Sequence, residues 1–310
     1  MGKKLFSGQK QKTKKSELRS SWLEFLVPDV HFAHGGPNGV KPMDRHDPGA
    51  LSILFQVMKD YRPDGVTQVG DLVHLGYLSH WNVGKGIGGR VKAETGETIE
   101  MCLPDDHALA RRFWQEIRQI CGKSARLRAM EGNHEEIIRE ARQMPIYAPL
   151  VKKMKGNDWF CEKAWGLEEL NVSWTAYQNY AHPDESGKPG HNSLDVGPHL
   201  KVIHGHHAGA QHEQAHFMEW LTNLRYGHLH TKTAKPFKGP KGAFSVGSIG
   251  CLATKTASYH RGRHNPWWSG FEMIYLDKEG RFFSSYVDII QNRACVNGKM
   301  YYAKPDGWLL

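Results

Sequence analysis

Three short apolar runs separated by two helical stretches occupy the first 130 residues, and this alternation restricts the fold more than any other feature of the chain. Trp22–Val27, Gly65–Val69 and Ala125–Met130 have the length and apolar content of buried strands. Between the first two, Pro48–Tyr61 places Leu51, Leu54, Phe55 and Met58 at helical spacing. Before the third, Asp105 or Asp106 can cap a helix running through Cys121, with Leu109, Phe113, Trp114 and Ile117 on its apolar face. The order strand, helix, strand, helix, strand predicts an α/β unit. A glycine-rich stretch, Gly84–Gly89, lies in a polar segment up to about Leu103 that reads as a loop or lid. Glu136–Leu170 is helical in pattern and punctuated by Pro145 and Pro149. Further strands are expected at Val172–Tyr177, Leu200–Ile203, Asn223–Tyr226, Ala243–Val246, Phe271–Leu276, Arg281–Val287 and Lys299–Tyr302, with a helix over Ala210–Glu219. No internal repeat or linker interrupts the pattern, so residues 21–310 read as one domain behind a basic tail, 1–20.

Five short motifs fall where these strands end: Asp29-x-His31, Gly70-Asp71, Gly132-Asn133-His134-Glu135, His204-Gly205 and Gly227-His228-x-His230. Strand ends of an α/β sheet are where ligands collect. The glycines let the backbone turn sharply beside a ligand. Singly, each motif is commonplace, and an isolated Asp-x-His is more often a turn or capping pair. Five in this order form a specific signal. Histidine usage agrees, since ten of the nineteen histidines lie between His182 and His230, a density that suggests metal chemistry.

On these motifs, from about Leu23 to Val287, the chain resembles the calcineurin-like metallophosphoesterase superfamily, whose pattern is D-x-H, GD, GNH[D/E], H and GHxH. The GHxH ending is similar to the broad phosphoesterase and nuclease branch. Ser/Thr protein phosphatases carry an arginine after the second motif, where this chain reads Gly70-Asp71-Leu72-Val73-His74-Leu75-Gly76. A Ser79-His80-Trp81 element soon after Gly70-Asp71 also resembles calcineurin-like proteins carried by bacteriophages. The resemblance implies two packed mixed β-sheets flanked by helices, a four-layer α/β/β/α sandwich. It implies one metal ion held by Asp29, His31 and His230, a second held by Asn133, His204 and His228, and Asp71 bridging both.

The residue types suit that chemistry. Two divalent ions about 3.5–4 Å apart need a charged oxygen ligand between them, activate a shared water and neutralise charge on a phosphoryl group. Mixed imidazole and carboxylate ligands favour Mn²⁺, with Fe or Zn²⁺ as alternatives, over an all-oxygen Mg²⁺ or Ca²⁺ site. His134 is expected as the general acid toward the leaving oxygen, or else as a residue that orients a ligand. His206 and His207 stand beside His204 as alternative ligands; His204 is preferred because it directly follows a strand. His34, His74 and His80 lie near the motifs, with His74 a candidate substrate contact.

Arg261, Arg263, His264, Trp267 and Trp268 form a basic, aromatic cluster that could bind phosphate and stack on unpaired bases. Alternatively, the tryptophans pack against the sandwich and the arginines are solvated. The Gly84–Gly89 stretch lacks the P-loop spacing.

Composition narrows the remaining choices. Residues 1–20 hold seven Lys or Arg against one Glu, so +6 of the net +9 sits in a tail that reads as disordered, leaving +3 for the other 290 residues. Such a tail attracts any polyanion and by itself says little about the folded body. Taken with the GHxH ending and the Arg/Trp cluster, the resemblance implies a nuclease similar to the family's DNA-repair exonucleases, with DNA or RNA as partner and substrate. A small-molecule phosphomonoesterase or diesterase is the first alternative, followed by a protein phosphatase or a non-catalytic scaffold. Since the family's nucleases often dimerise, a homo-oligomer is compatible. Five scattered cysteines without a Cys-x-x-Cys pair argue against a disulfide framework and for a reducing, cytoplasmic setting. Apolar runs far short of ~18 residues and a lysine-rich start give no expectation of membrane insertion or secretion.

Overall fold

A computed structural model describes residues 21–33, 46–78, 91–154, 156–183, 189–239, 242–255, 265–304 and 308. The basic tail, the Gly84–Gly89 stretch, His34, His80, Arg261, Arg263 and His264 lie outside the described residues.

The larger of two main sheets contains β1 (Trp22–Val27), β2 (Gly65–Gln68), β3 (Arg126–Met130) and β4 (Val172–Thr175). These four are parallel. The expected helix Pro48–Tyr61, α1, connects β1 to β2; the Asp47 side chain caps it by accepting the Ala50 N–H at 3.0 Å, and Pro48 begins its first turn. Helix α2 (Val91–Cys121) connects β2 to β3. It begins fourteen residues before Asp105, so the loop expected up to Leu103 is corrected over 91–103. Pro104 sits inside the helix, and the position that signals a helix boundary costs one backbone donor instead. The helices that follow are α3 (Asn133–Gln143), α4 (Ala148–Lys153) and α5 (Cys161–Ala164).

Next come a small hairpin, β5 (Gln178–Pro183) with β6 (Pro189–His191), and then β7 (Leu194–Gly197), β8 (Leu200–Ile203), α6 (His212–Trp220), β9 (Leu224–Tyr226), β10 (Lys235–Gly239) and β11 (Gly242–Ser248). The second sheet has the order β10-β11-β9-β8-β7, with β8, β9 and β11 parallel. The chain then returns to the first sheet through β12 (Gly270–Leu276) and β13 (Phe282–Asp288), giving the order β13-β12-β1-β2-β3-β4. A terminal hairpin of β14 (Arg293–Val296) and β15 (Lys299–Tyr302) completes it.

Side-chain alternation sorts these strands into four layers. On β1, Phe25 and Val27 enter the helix-side core with Leu51, Leu54, Phe113 and Trp114, whereas Leu26 faces the other way. Leu26, Val69 and Met130 meet Leu200, Val202 and Ile249 between the sheets. Ile203 and Tyr226, on the outer face of the second sheet, pack with Phe217 of α6. The outcome is the expected sandwich of two mixed sheets flanked by helices. All five cysteines are free, and no helix among the described residues is long and apolar enough to cross a membrane.

Candidate metal centre

Each of the five motifs begins within two residues of the carboxyl end of a parallel strand: β1, β2, β3, β8 and β9. Their loops converge. The backbone N–H groups of Val30 and His31 both donate to the Asp71 carbonyl at 3.0 Å, and the His228 N–H donates to the Asp29 carboxylate at 2.9 Å (Oδ1) and 3.1 Å (Oδ2). The His134 N–H, in the first turn of α3, donates to Asp71 Oδ1 at 3.0 Å, so the positive end of that helix supports the Asp71 charge.

Two groups of donor atoms result, each within 4.8 Å of one another, and they share Asp71: Asp29, His31, Asp71 and His230 in the first, Asp71, His204 and His228 in the second. In the first, the Nε2 atoms of His31 and His230 face each other at 2.9 Å, with Asp71 Oδ2 3.8 Å from His31 Nε2 and Asp29 Oδ1 3.7 Å from His230 Nε2. In the second, His204 Nε2 lies 3.4 Å from Asp71 Oδ1, and Asn133 Oδ1 stands 2.9 Å from His204 Nε2 and 2.7 Å from His228 Nδ1. All seven residues expected as ligands are therefore brought together.

Three properties fit this arrangement to divalent cations. Opposed imidazole nitrogens beside the shared Asp71 carboxylate form an electron-pair-rich enclosure. His204 donates Nδ1–H to the Val69 carbonyl at 2.8 Å, which turns Nε2 into the site, the outer hydrogen bond that ligating histidines characteristically make. His31, Asp71, His228 and His230 all adopt left-handed backbone, with φ of 58°, 51°, 67° and 59°. Non-glycine residues adopt this conformation at a cost, and they persist in it where the surroundings over-determine them.

Glycine makes the close approach sterically feasible. A Cβ on Gly132 would stand 2.2 Å from Asp71 Oδ1, and one on Gly227 would stand 2.4 Å from Asp29 Oδ2.

Burial sets the protonation of the cluster. It lowers the pKa of His230 to about 3 and of His228 to about 4, and that of His31 well below its usual value, leaving lone pairs available for coordination. Burial also raises Asp29 well above the carboxylate range. For His204 burial opposes charge, yet the facing Asp71 and Asp29 carboxylates outweigh it and raise the pKa to about 10. Asp71 is likewise disfavoured as an anion by burial, but His204 and His134 hold it well below its usual range.

His134 borders the cleft with its side chain about a quarter exposed, and its Nδ1–H donates to the His74 carbonyl. Its Nε2 is thereby turned toward Asp71, 3.9 Å from Oδ2. His74 also lines the cleft, and its Nδ1 is 3.4 Å from His31 Nδ1. The cleft, of about 310 Å³, is bounded on the far side by Trp267, whose ring meets His230 edge-on with centroids 4.1 Å apart. Trp268 instead faces outward, donating its indole N–H to Asp288 Oδ1 at 2.6 Å. His206 and His207 reach Glu219 instead, and of the three imidazoles on that loop it is His204 that stands with Asp71 and His228.

One organising residue belongs to the third motif, but the sequence gives it no role. Glu135 is buried and accepts the backbone N–H groups of Gly132 (2.7 Å), Asp71 (3.0 Å) and Val73 (3.0 Å), tying the second motif to the third. Burial and the neighbouring Asp71 charge push its carboxyl up to about 8, against the pull of the Val73 and Gly132 amides.

No family model matches the chain. A curated relative, the Gene 54 protein of Mycobacterium phage L5, is 25% identical over 272 residues, which span 81% of this chain and 91% of that protein. Among solved structures, Vps29 of Chaetomium thermophilum aligns at 10% identity with a TM-score of 0.35, over 93% of this chain and 100% of that one. TT1561 of Thermus thermophilus aligns at 9% identity with a TM-score of 0.30, over 86% and 98%.

Proposed function

We propose that residues 21–310 form a dinuclear metal-dependent phosphoesterase that hydrolyses phosphate esters, with nucleic acid as the favoured substrate. The observation that carries this reading is the convergence of seven donor residues, from five strand-end loops, on two groups that share one aspartate. Asp29, His31, Asp71 and His230 would hold one ion, and Asp71, Asn133, His204 and His228 the other. Mn²⁺ suits the imidazole and carboxylate mixture, with Fe or Zn²⁺ as alternatives. Bound there, the ions supply charge neutralisation for a phosphoryl group and make water a better nucleophile at neutral pH.

The chain's own residues do the rest. His134 presents Nε2 to the cleft, with Nδ1 anchored on the His74 carbonyl, and donates a proton to the leaving oxygen as general acid. Glu135 holds Gly132, Asp71 and Val73 in register, so that the shared Asp71 carboxylate and the acid keep their separation. Trp267 offers an aromatic wall on which a base can stack. That wall and the basic tail favour nucleic acid. A small phosphodiester is the second reading, favoured by a cleft volume of about 310 Å³, at the small end of ligand sites.

The test is an assay of the purified chain with Mn²⁺ on a phosphomonoester, a simple diester, single- and double-stranded DNA and a phosphopeptide, repeated with His134→Ala and Asp71→Asn. Diester and DNA turnover that collapses in both variants is expected. Unchanged turnover in both overturns the mechanism, and turnover of the monoester alone overturns the nuclease reading.

A further inference from the structure

Outside the seven-residue cluster, a second convergence of metal-ligating atoms lies between the loop after β8 and helix α6. The Nε2 atoms of His206 and His207 stand 2.7 Å and 3.1 Å from the same oxygen, Oε2 of Glu219, and the three donor atoms all lie within 4.8 Å of one another. Consecutive residues of an extended loop normally point their side chains apart. Here the backbone is folded so that they do not: His216 Nε2 accepts the N–H of His206 at 3.3 Å and of His207 at 3.4 Å, cinching the loop onto α6. A stack on His191, with ring centroids 3.8 Å apart and planes 9° from parallel, fixes the His206 ring in place of a hydrogen bond at Nδ1. His207 and Glu219 are each a little over one-third exposed, which leaves an entry path from solvent.

Two imidazole nitrogens and one carboxylate oxygen are a three-ligand set for Zn²⁺, with water completing the tetrahedron. We propose that His206, His207 and Glu219 form a further metal site, distinct from the strand-end cluster, that binds one Zn²⁺ ion. The loop that carries it also carries His204, and the Tyr177 hydroxyl donates to the Gly205 carbonyl at 3.0 Å, so an ion there braces the segment supplying a candidate ligand of the main cluster.

The experiment is Zn²⁺ titration of the metal-stripped full chain, followed by calorimetry and by ion counting on the protein after gel filtration. Wild type, His207→Ala/Glu219→Gln and Asp71→Asn are compared, with circular dichroism confirming that each is folded. The double variant should lose one equivalent of Zn²⁺ relative to wild type, whereas Asp71→Asn should lose ions of the main cluster and retain this one. A folded double variant with the wild-type ion count and affinities overturns the proposal and leaves the three residues as a hydrogen-bonded cluster only. Because the two variants affect separate sites, loss of the main-cluster reading alone appears as a wild-type count in Asp71→Asn.

Discussion

Substituting Gly132 by alanine tests whether the spacing of the two donor groups controls turnover. Gly132 has extended backbone, φ −100° and ψ −177°, which alanine adopts without strain, so the whole effect is steric. The added Cβ would meet Asp71 Oδ1 at 2.2 Å and the Asp71 amide nitrogen at 2.4 Å, where ordinary contact begins at 3.4 Å. Asp71 or the start of α3 must therefore retreat by roughly 1 Å, since interiors as dense as this absorb little overlap. A displacement of that size at a reacting centre costs on the order of 10²-fold in rate. Overpacking of this kind costs about 1–3 kcal/mol of stability. Turnover of a chromogenic phosphodiester with Mn²⁺, ion stoichiometry and a urea melt would be measured on Gly132→Ala. Gly156→Ala serves as control, since its Cβ would meet nothing within 4 Å. The reasoning fails if Gly132→Ala keeps wild-type turnover and ion content within twofold, because the shared Asp71 carboxylate would then not need its present position.

Glu135→Gln leaves a single oxygen for three buried amides and turns an NH₂ toward the Val73 N–H, so urea melts should show a loss of about 1–3 kcal/mol; an unchanged midpoint and slope would refute the tying role. His212, buried with Nδ1 2.8 Å from the Tyr226 hydroxyl, has its pKa lowered below 6.5 by burial, so the unfolded chain takes up the proton first as pH falls. Its contribution to stability is full above pH 6.5 and declines below it by at most about 1.4 kcal/mol per pH unit, until the folded pKa is reached. Stability curves of wild type and His212→Asn should converge as pH falls from 7 to 5, and parallel curves would refute the assignment. Deleting residues 1–20 removes a net +6 and should weaken DNA binding most at low salt while small-diester turnover persists; loss of that turnover would show the tail to be part of the site.

What the sequence made legible follows from where the constraints act. The spans of α1, β1 and β8 match expectation to the residue, because each meets a complete local requirement: a cap, an apolar face or a buried run with clear ends. The candidate donor motifs were legible for a related reason, since a site at the carboxyl ends of parallel strands draws its side chains from positions directly after apolar runs. Edge strands escape this logic. β10, Lys-Pro-Phe-Lys-Gly, pairs on one side only and tolerates a proline and two lysines, and β5 carries proline and histidine in a two-stranded hairpin. The start of α2 is concealed for the opposite reason, since Pro104 is a strong local stop signal through which the helix nevertheless runs.

The same distinction separates the candidate ligands from the residues that hold them. His204 can be chosen over His206 from the sequence because a strand ends at Ile203, but nothing local says that His206 and His207 will share the oxygen of a glutamate twelve and thirteen residues away. Nor does anything around Glu135 show that its carboxylate takes amides 62 and 64 residues earlier. Both contacts join a loop to a helix, and their geometry exists only once neighbouring parallel strands, β2 with β3 and β8 with β9, have set those segments side by side. A carboxylate three residues into a helix reads as an ordinary N-terminal cap, and Glu135 does cap α3 through Gly132. Its second task, holding Asp71 and Val73, uses the remaining lone pairs of the same two oxygens, so the local role conceals the long-range one. Glutamine would meet much of the local requirement but cannot serve the long-range one, because its single oxygen leaves the Val73 amide facing a donor.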